Sequence, residues 1–398
     1  MTPPVKTSRR ATLLGLSAAI ALGPVRLAFA AGAVERRFVV VTLRGAMDGL
    51  AAVVPYGDPA LAGLRGDIVP PEPGQPNGML DLGGFYGLHP ALAGLHRFYT
   101  SGQALLLHAI AGPTRVRSHF EAQDCLESGA DHRMTSGWLN RAVSALPRAA
   151  PKTEGDAMAF GVDMPLLLRG PARVGSYAAG RIGAAAPDFY TQLAALAAGD
   201  KLIGPVIHQG LRERGYAQAV LGTVPAAPEK ASAFALLART AGEMLARPDG
   251  PRVAALELDG WDTHVAQPQR LDAQFRQLDA GLVALREGLG TAWDKTVVLC
   301  MTEFGRTVRV NGNRGTDHGT AGVAFLLGGA VAGGKVRADW PGLGPGRLLD
   351  NRDLAPSADL RAPAKSVLTA HLGVPAQALG AVFPDSAQIA PMAGLLRA

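Results

Sequence analysis

The feature that most narrows the fold is a series of apolar runs of strand length, separated by longer stretches with helical spacing. The runs are RFVVVTL (37–43), ALLLHAI (104–110), MAFGV (158–162), RVAALELD (252–259), TVVLCMT (296–302) and GVAFLLGG (322–329). Several are apolar at consecutive rather than alternate positions, the pattern of a strand covered on both faces. Helical stretches occupy 88–100, 119–128, 135–147, 188–220, 231–247, 268–290 and 364–373. Strands alternating with helices predict a three-layer α/β/α sandwich with a largely parallel central sheet. A chain of 398 residues can bury a core of that size. Its 50 glycines and 29 prolines make it loop-rich, yet short of the roughly 25–30% typical of disorder.

Sheets of this kind carry their sites at the carboxyl ends of strands, and the strand ends here are polar. RGAMDGL with Asp48 follows the first strand, GWDTHVAQ with Asp262 and His264 follows the fourth, and EFGRT with Glu303 follows the fifth. GTDHGT, with Asp317 and His318, stands just before the last. Imidazole nitrogens and carboxylate oxygens converging at one edge are what a divalent cation needs, so these six residues form a candidate metal site. Zinc is the expected ion, with manganese or calcium as alternatives. Each residue alone also has a plainer role. Asp48 and Asp262 suit caps or Asx-turns, His264 suits a cap, and Glu303 suits an ion pair with Arg306. His108 lies inside an apolar run and reads as core, as do Cys300, Trp138 and Trp261, while His132 sits in a polar loop.

Ser118, in PTRVRSHFEAQD, supports two readings. It can cap the following helix, with Glu121 completing a capping box. A hydroxyl at a helix N-terminus beside a metal can equally attack an ester. Thr114 or a metal-bound hydroxide are the other candidate attackers. Arg306 is the residue expected to hold a substrate anion.

Residues 1–30 form a leader. Arg9 and Arg10 precede an apolar run from Ala11 to Leu22, and Ala28-Phe-Ala30 ends it in a cleavage-like pattern. The run is about half a membrane span, so cleavage rather than anchoring is expected, and the arginine pair predicts twin-arginine export to the periplasm. The formal charge of +6 includes Lys6, Arg9, Arg10 and Arg26 of the leader, leaving a nearly neutral domain over 31–398. Nucleic acid is therefore not an expected partner. Two cysteines, Cys125 and Cys300, exclude a disulfide framework.

The leader, LRGAMDGL with VVPYGDP, RSHFEAQDCLESG, GWLNRA, WDTHVAQ, TEFGRTVRVNGNRGTDHG and LGGAVAGGKV with DWPGL together resemble an exported bacterial family, domain of unknown function 1501. That family is grouped with the alkaline-phosphatase-like superfamily. The resemblance implies an α/β/α fold, one or two metal ions and a hydroxyl nucleophile. Asp48 falls on the superfamily's first metal aspartate, and Asp262 on the aspartate of an Asp-x-x-x-His pair. Here the histidine stands at +2 as His264, and +4 is Ala266. Glu303-Phe304-Gly305 replaces the usual Asp-His-Gly, and His318 matches a late histidine before a strand. The nucleophile column falls near Val116, reached by Ser118 or Thr114 with a shift. The implied activity is hydrolysis of a small phosphate or sulfate ester. The alternative is a binding or maturation protein with a remodelled site.

Overall fold

A computed structural model describes residues 36–147, 156–178 and 232–397. The expected leader (1–30) and the helical stretch expected over 188–220 lie outside the described residues. The six apolar runs become strands β1 (Arg37–Leu43), β2 (Ala104–Ala111), β3 (Ala157–Phe160), β5 (Val253–Leu258), β6 (Thr296–Met301) and β7 (Gly322–Leu327) of one sheet, which the shorter β4 (Val174–Tyr177), β8 (Lys335–Arg337) and β9 (Ala358–Asp359) extend. Their order is β8-β2-β7-β6-β1-β5-β3-β4, with β9 also paired to β2. Every residue of β1, β2, β6 and β7 is buried, as consecutive apolar positions require when both faces are covered.

β1 is the centre of the sheet, with Val40 level with Ala255 of β5 and Leu299 of β6, both parallel. Its alternate residues feed two separate cores, because successive side chains of a strand point to opposite faces. Val39 and Val41 pack with Phe275, Leu278 and Leu282 of the long helix α4 (Gln267–Leu289), and with Phe234 and Met244 of α3 (Ala233–Ala246). Phe38 and Val40 face Trp138, Leu368 and Phe383 on the other side. Trp138, Trp261, His108 and Cys300 are all buried, the last as a free thiol. His108 accepts from the Ala109 N–H at Nδ1 and contacts the Val53 carbonyl at Nε2, a satisfied core histidine.

β7 runs antiparallel to both β2 and β6. This reversal brings the start of β7 to the edge where β1, β2, β5 and β6 end. Among the described residues no helix is long and apolar enough to cross a membrane.

Candidate metal centre

Three segments meet at that edge. The first is the stretch after β2, where the chain turns into α2 (His119–Ser128). The second joins β5 to α4, and the third is the loop from Thr302 to Ala321 between β6 and β7. This last loop folds back on itself. Arg306 pairs with His318 in an antiparallel bridge, Thr307 N–H donates to the Asp317 carbonyl at 2.9 Å, and Gly319 N–H to Gly305 at 2.8 Å. It is then stitched to the β5–α4 segment by Thr316 N–H to the Thr263 carbonyl at 3.1 Å. Gly315 is needed at that seam, because a Cβ there would sit 2.1 Å from the His264 carbonyl oxygen. Gly45 has a similar role at the end of β1, with φ +112° and a would-be Cβ 2.7 Å from Asp262 N.

The result is a cluster of His119, His264, His318 and Asp262. His264 Nε2 lies 3.0 Å from His318 Nε2 and 3.0 Å from Asp262 Oδ1. His318 Nε2 is 3.4 Å from Asp262 Oδ1, and His119 Nε2 is 3.5 Å from Asp262 Oδ2. One ligand atom from each of His119, Asp262 and His318 falls within 4.8 Å of the others. Donors around a four-coordinate zinc with bonds of about 2.0–2.1 Å stand roughly 3.4 Å apart, so these spacings suit an ion.

The other nitrogen of each ring decides what the cluster can do. His119 Nδ1 faces Glu303 Oε1 at 2.8 Å, His264 Nδ1 faces Asp317 Oδ1 at 2.9 Å, and His318 Nδ1 faces the Arg117 carbonyl at 2.8 Å. A carboxylate and a carbonyl only accept, so each Nδ1 carries the proton. In the neutral rings all three Nε2 lone pairs then point inward. Two such lone pairs 3.0 Å apart need a cation or a proton between them. His119 Nε2 is buried without a hydrogen-bond partner, an orphan aimed at the same place. The donor set therefore fits a divalent ion.

Partners behind the rings fix the electrostatics. Burial alone would raise the Glu303 carboxyl, but bonds from His119, Gln123 and the Gly45 N–H hold its pKa below the ordinary value. The bond to Glu303 in turn raises the His119 imidazole. His318 is pushed down by burial, with the His119 and Arg306 charges adding to the effect. Burial would raise Asp262, but the Arg306 guanidinium at 2.7 Å brings it below the usual range. The bond from His264 lowers Asp317.

The expected residues thus divide. Asp262, His264 and His318 come together. Glu303 and Asp317 stand one layer back, each holding a histidine by its Nδ1. Asp48 is not brought into the cluster: it is wholly buried and caps the short helix α1 (Gly49–Ala52), accepting from Leu50 and Ala51 N–H. Its other oxygen takes Arg65 at 2.6 Å and Gln267 at 2.7 Å, so no lone pair is left facing the cluster. Arg306 is also placed differently from the expectation. Its side chain has no exposed surface and is spent on Asp262 and Thr316, so it steadies Asp262 and presents no free face to an anion. Ser118 occupies the N-cap position of α2 but makes no side-chain cap bond and is exposed. Thr114 accepts from Val116 N–H at 3.2 Å. His119 is the member that sequence reasoning missed. It is a histidine in the polar segment that follows a strand, the same signal that singled out His264, hidden there by the helix-start reading of Ser118.

A family model described as "Protein of unknown function (DUF1501)" matches residues 108–364. No curated protein matches the chain. Among solved structures, a protein in the alkaline phosphatase superfamily from Vibrio parahaemolyticus aligns over 85% of this chain and 67% of its own, at 9% identity and TM-score 0.35. The C-terminal periplasmic domain of EcEptC from Escherichia coli, in complex with Zn, aligns over 74% and 73%, at 10% identity and TM-score 0.32. The phosphonate monoester hydrolase of Agrobacterium radiobacter aligns over 76% and 70%, at 12% identity and TM-score 0.31.

Proposed function

Because the chain belongs to the DUF1501 family, whose name assigns no chemistry, we propose from the site itself that it is a divalent-metal-dependent hydrolase of phosphate or sulfate esters. The observation that carries this reading is the inward convergence of three Nε2 lone pairs on the Asp262 carboxylate, each ring held from behind by an acceptor. Nitrogen-rich donors favour zinc over calcium and manganese, which prefer oxygen ligands. When bound, such an ion polarises an ester oxygen and offsets charge that develops on it.

The chain's own groups do the rest. Glu303, Asp317 and the Arg117 carbonyl keep the three rings in one tautomer and orientation. Arg306 holds Asp262 from below. Ser118, exposed between Arg117 and His119, is the attacking hydroxyl in this proposal. Export by the Arg9–Arg10 leader belongs to the same reading, and Lys-Lys at those positions should leave precursor in the cytoplasm.

The deciding experiment is zinc analysis and ester turnover on purified protein. Wild type should bind zinc and hydrolyse at least one of an aryl phosphate and an aryl sulfate. Ser118→Ala should keep the metal and lose turnover, while His318→Ala should lose both. A zinc-loaded wild type inert toward both ester classes would instead favour a non-hydrolytic metal-binding role. One observation favours that second reading: Phe304 packs against the His119 and His318 rings, with centroids at 4.9 and 5.1 Å, where a further polar group could have stood.

A further inference from the structure

Three large apolar side chains are exposed among the described residues: Phe120 at 86%, Val162 at 80% and Val265 at 50%. Two of the three directly follow histidines of the cluster, Phe120 after His119 and Val265 after His264. Those histidines approach different oxygens of Asp262, Oδ2 and Oδ1 respectively. Their rings lie 4.3 and 4.8 Å from that of His318, so the chain positions of Phe120 and Val265 border one small site. Val162 follows the end of β3, the neighbour of β5, at the same edge of the sheet. Single apolar groups left in water are ordinary, but these stand beside a polar centre, where the apolar part of a bound molecule would meet them.

The charged groups say what kind of occupant. The two guanidinium residues that touch the cluster are both neutralised, Arg306 by Asp262 and Arg117 by Asp350 and Asp353. Neither is free to hold a second anionic group beyond the one at the ion. Apolar contact beside the cluster is then available to bind the remainder of a substrate.

We propose that the site takes an amphiphilic monoester, its anionic head at the metal and its alkyl or aryl group lying across Phe120 and Val265. This rests on the metal-ester reading above and narrows its substrate class. Turnover is not needed to test it, because alkylphosphonates carry the head group with no ester bond to break.

The experiment is calorimetric titration of zinc-loaded full chain with methyl-, propyl- and hexylphosphonate. The dissociation constant should fall about three- to fourfold for each methylene that reaches the rim. Phe120→Ser and Val265→Ser, with zinc content equal to wild type, should flatten that dependence. Methylphosphonate binding as tightly as hexylphosphonate would overturn the amphiphile and leave the metal-anion reading standing. A chain-length dependence unchanged in both variants would also overturn it. Failure of all three phosphonates to bind zinc-loaded protein would remove the anion reading and this inference together.

Discussion

At the scale of single residues, the centre depends on groups that never touch an ion. Glu303 accepts from Gly45, His119 and Gln123 on one oxygen and from Thr302 on the other. Glutamine there removes the negative charge that holds the His119 Nδ1–H, so Glu303→Gln should weaken zinc binding about 10–100-fold, read by competition with a chromophoric chelator. An unchanged affinity would show that His119 needs no orienting carboxylate. Asp48 and Arg65 form a buried pair, each about 1% exposed in its side chain. Arg65→Met strands the carboxylate and should cost about 3–5 kcal/mol in urea unfolding, part of which Asp48→Asn should restore in the double variant. The residue types at the sheet edge were legible in the sequence because acids and histidines stood where strands ended. Their division into members of the cluster and supports behind it was not. Glu303 and Asp262 look alike in a sequence, and only the position of a histidine Nδ1 separates them.

At the scale of elements, the loop between β6 and β7 is held by close backbone approach. Gly315→Ala would push a methyl into the His264 carbonyl and should lower both the melting temperature and the zinc affinity. Gly312, four residues into the polar part of the loop from Val308, has nothing within 4 Å of a would-be Cβ. Gly312→Ala should therefore stay within about 0.5 kcal/mol of wild type. If both variants behave alike, the seam is not what positions His264. The strands β1, β2, β5, β6 and β7 could be read from continuous apolar runs, and α2, α3 and α4 from their spacing. An apolar run carries no direction, so the reversal of β7 could not be read. Nor could β4, β8 and β9, which are short and partly polar (VGSY, KVR, AD), with little periodicity to detect.

At the scale of the whole molecule, three buried histidines outside the cluster are expected to weaken the fold in acid. Burial pushes His89, His108 and His371 down to about 4. Unfolded imidazole protonates near 6.5, so as pH falls the unfolded chain takes up protons first. The contribution of these rings is full above pH 6.5, declines between 6.5 and 4, and levels off below, by roughly 3 kcal/mol for each ring. His108 cannot accept a proton without setting N–H against the Ala109 N–H. Urea midpoints at pH 7.5 and 4.5 should therefore converge in His108→Gln relative to wild type. An identical pH dependence in the two would assign the acid limit elsewhere.

The reversed strand also makes the centre a reporter of time. Its donor atoms come from Ser118's neighbour His119, from the β5 exit and from the β7 entrance, and they meet only when β2, β7, β6, β1 and β5 lie in order. No local hairpin or helix contains the set, and distant pairings of this kind form late. Ion capture should then lag behind the recovery of helical ellipticity during refolding, marking the moment at which the sheet is completely wound. A chain that captured zinc tightly as soon as its helices formed would have to assemble its ligands by another route.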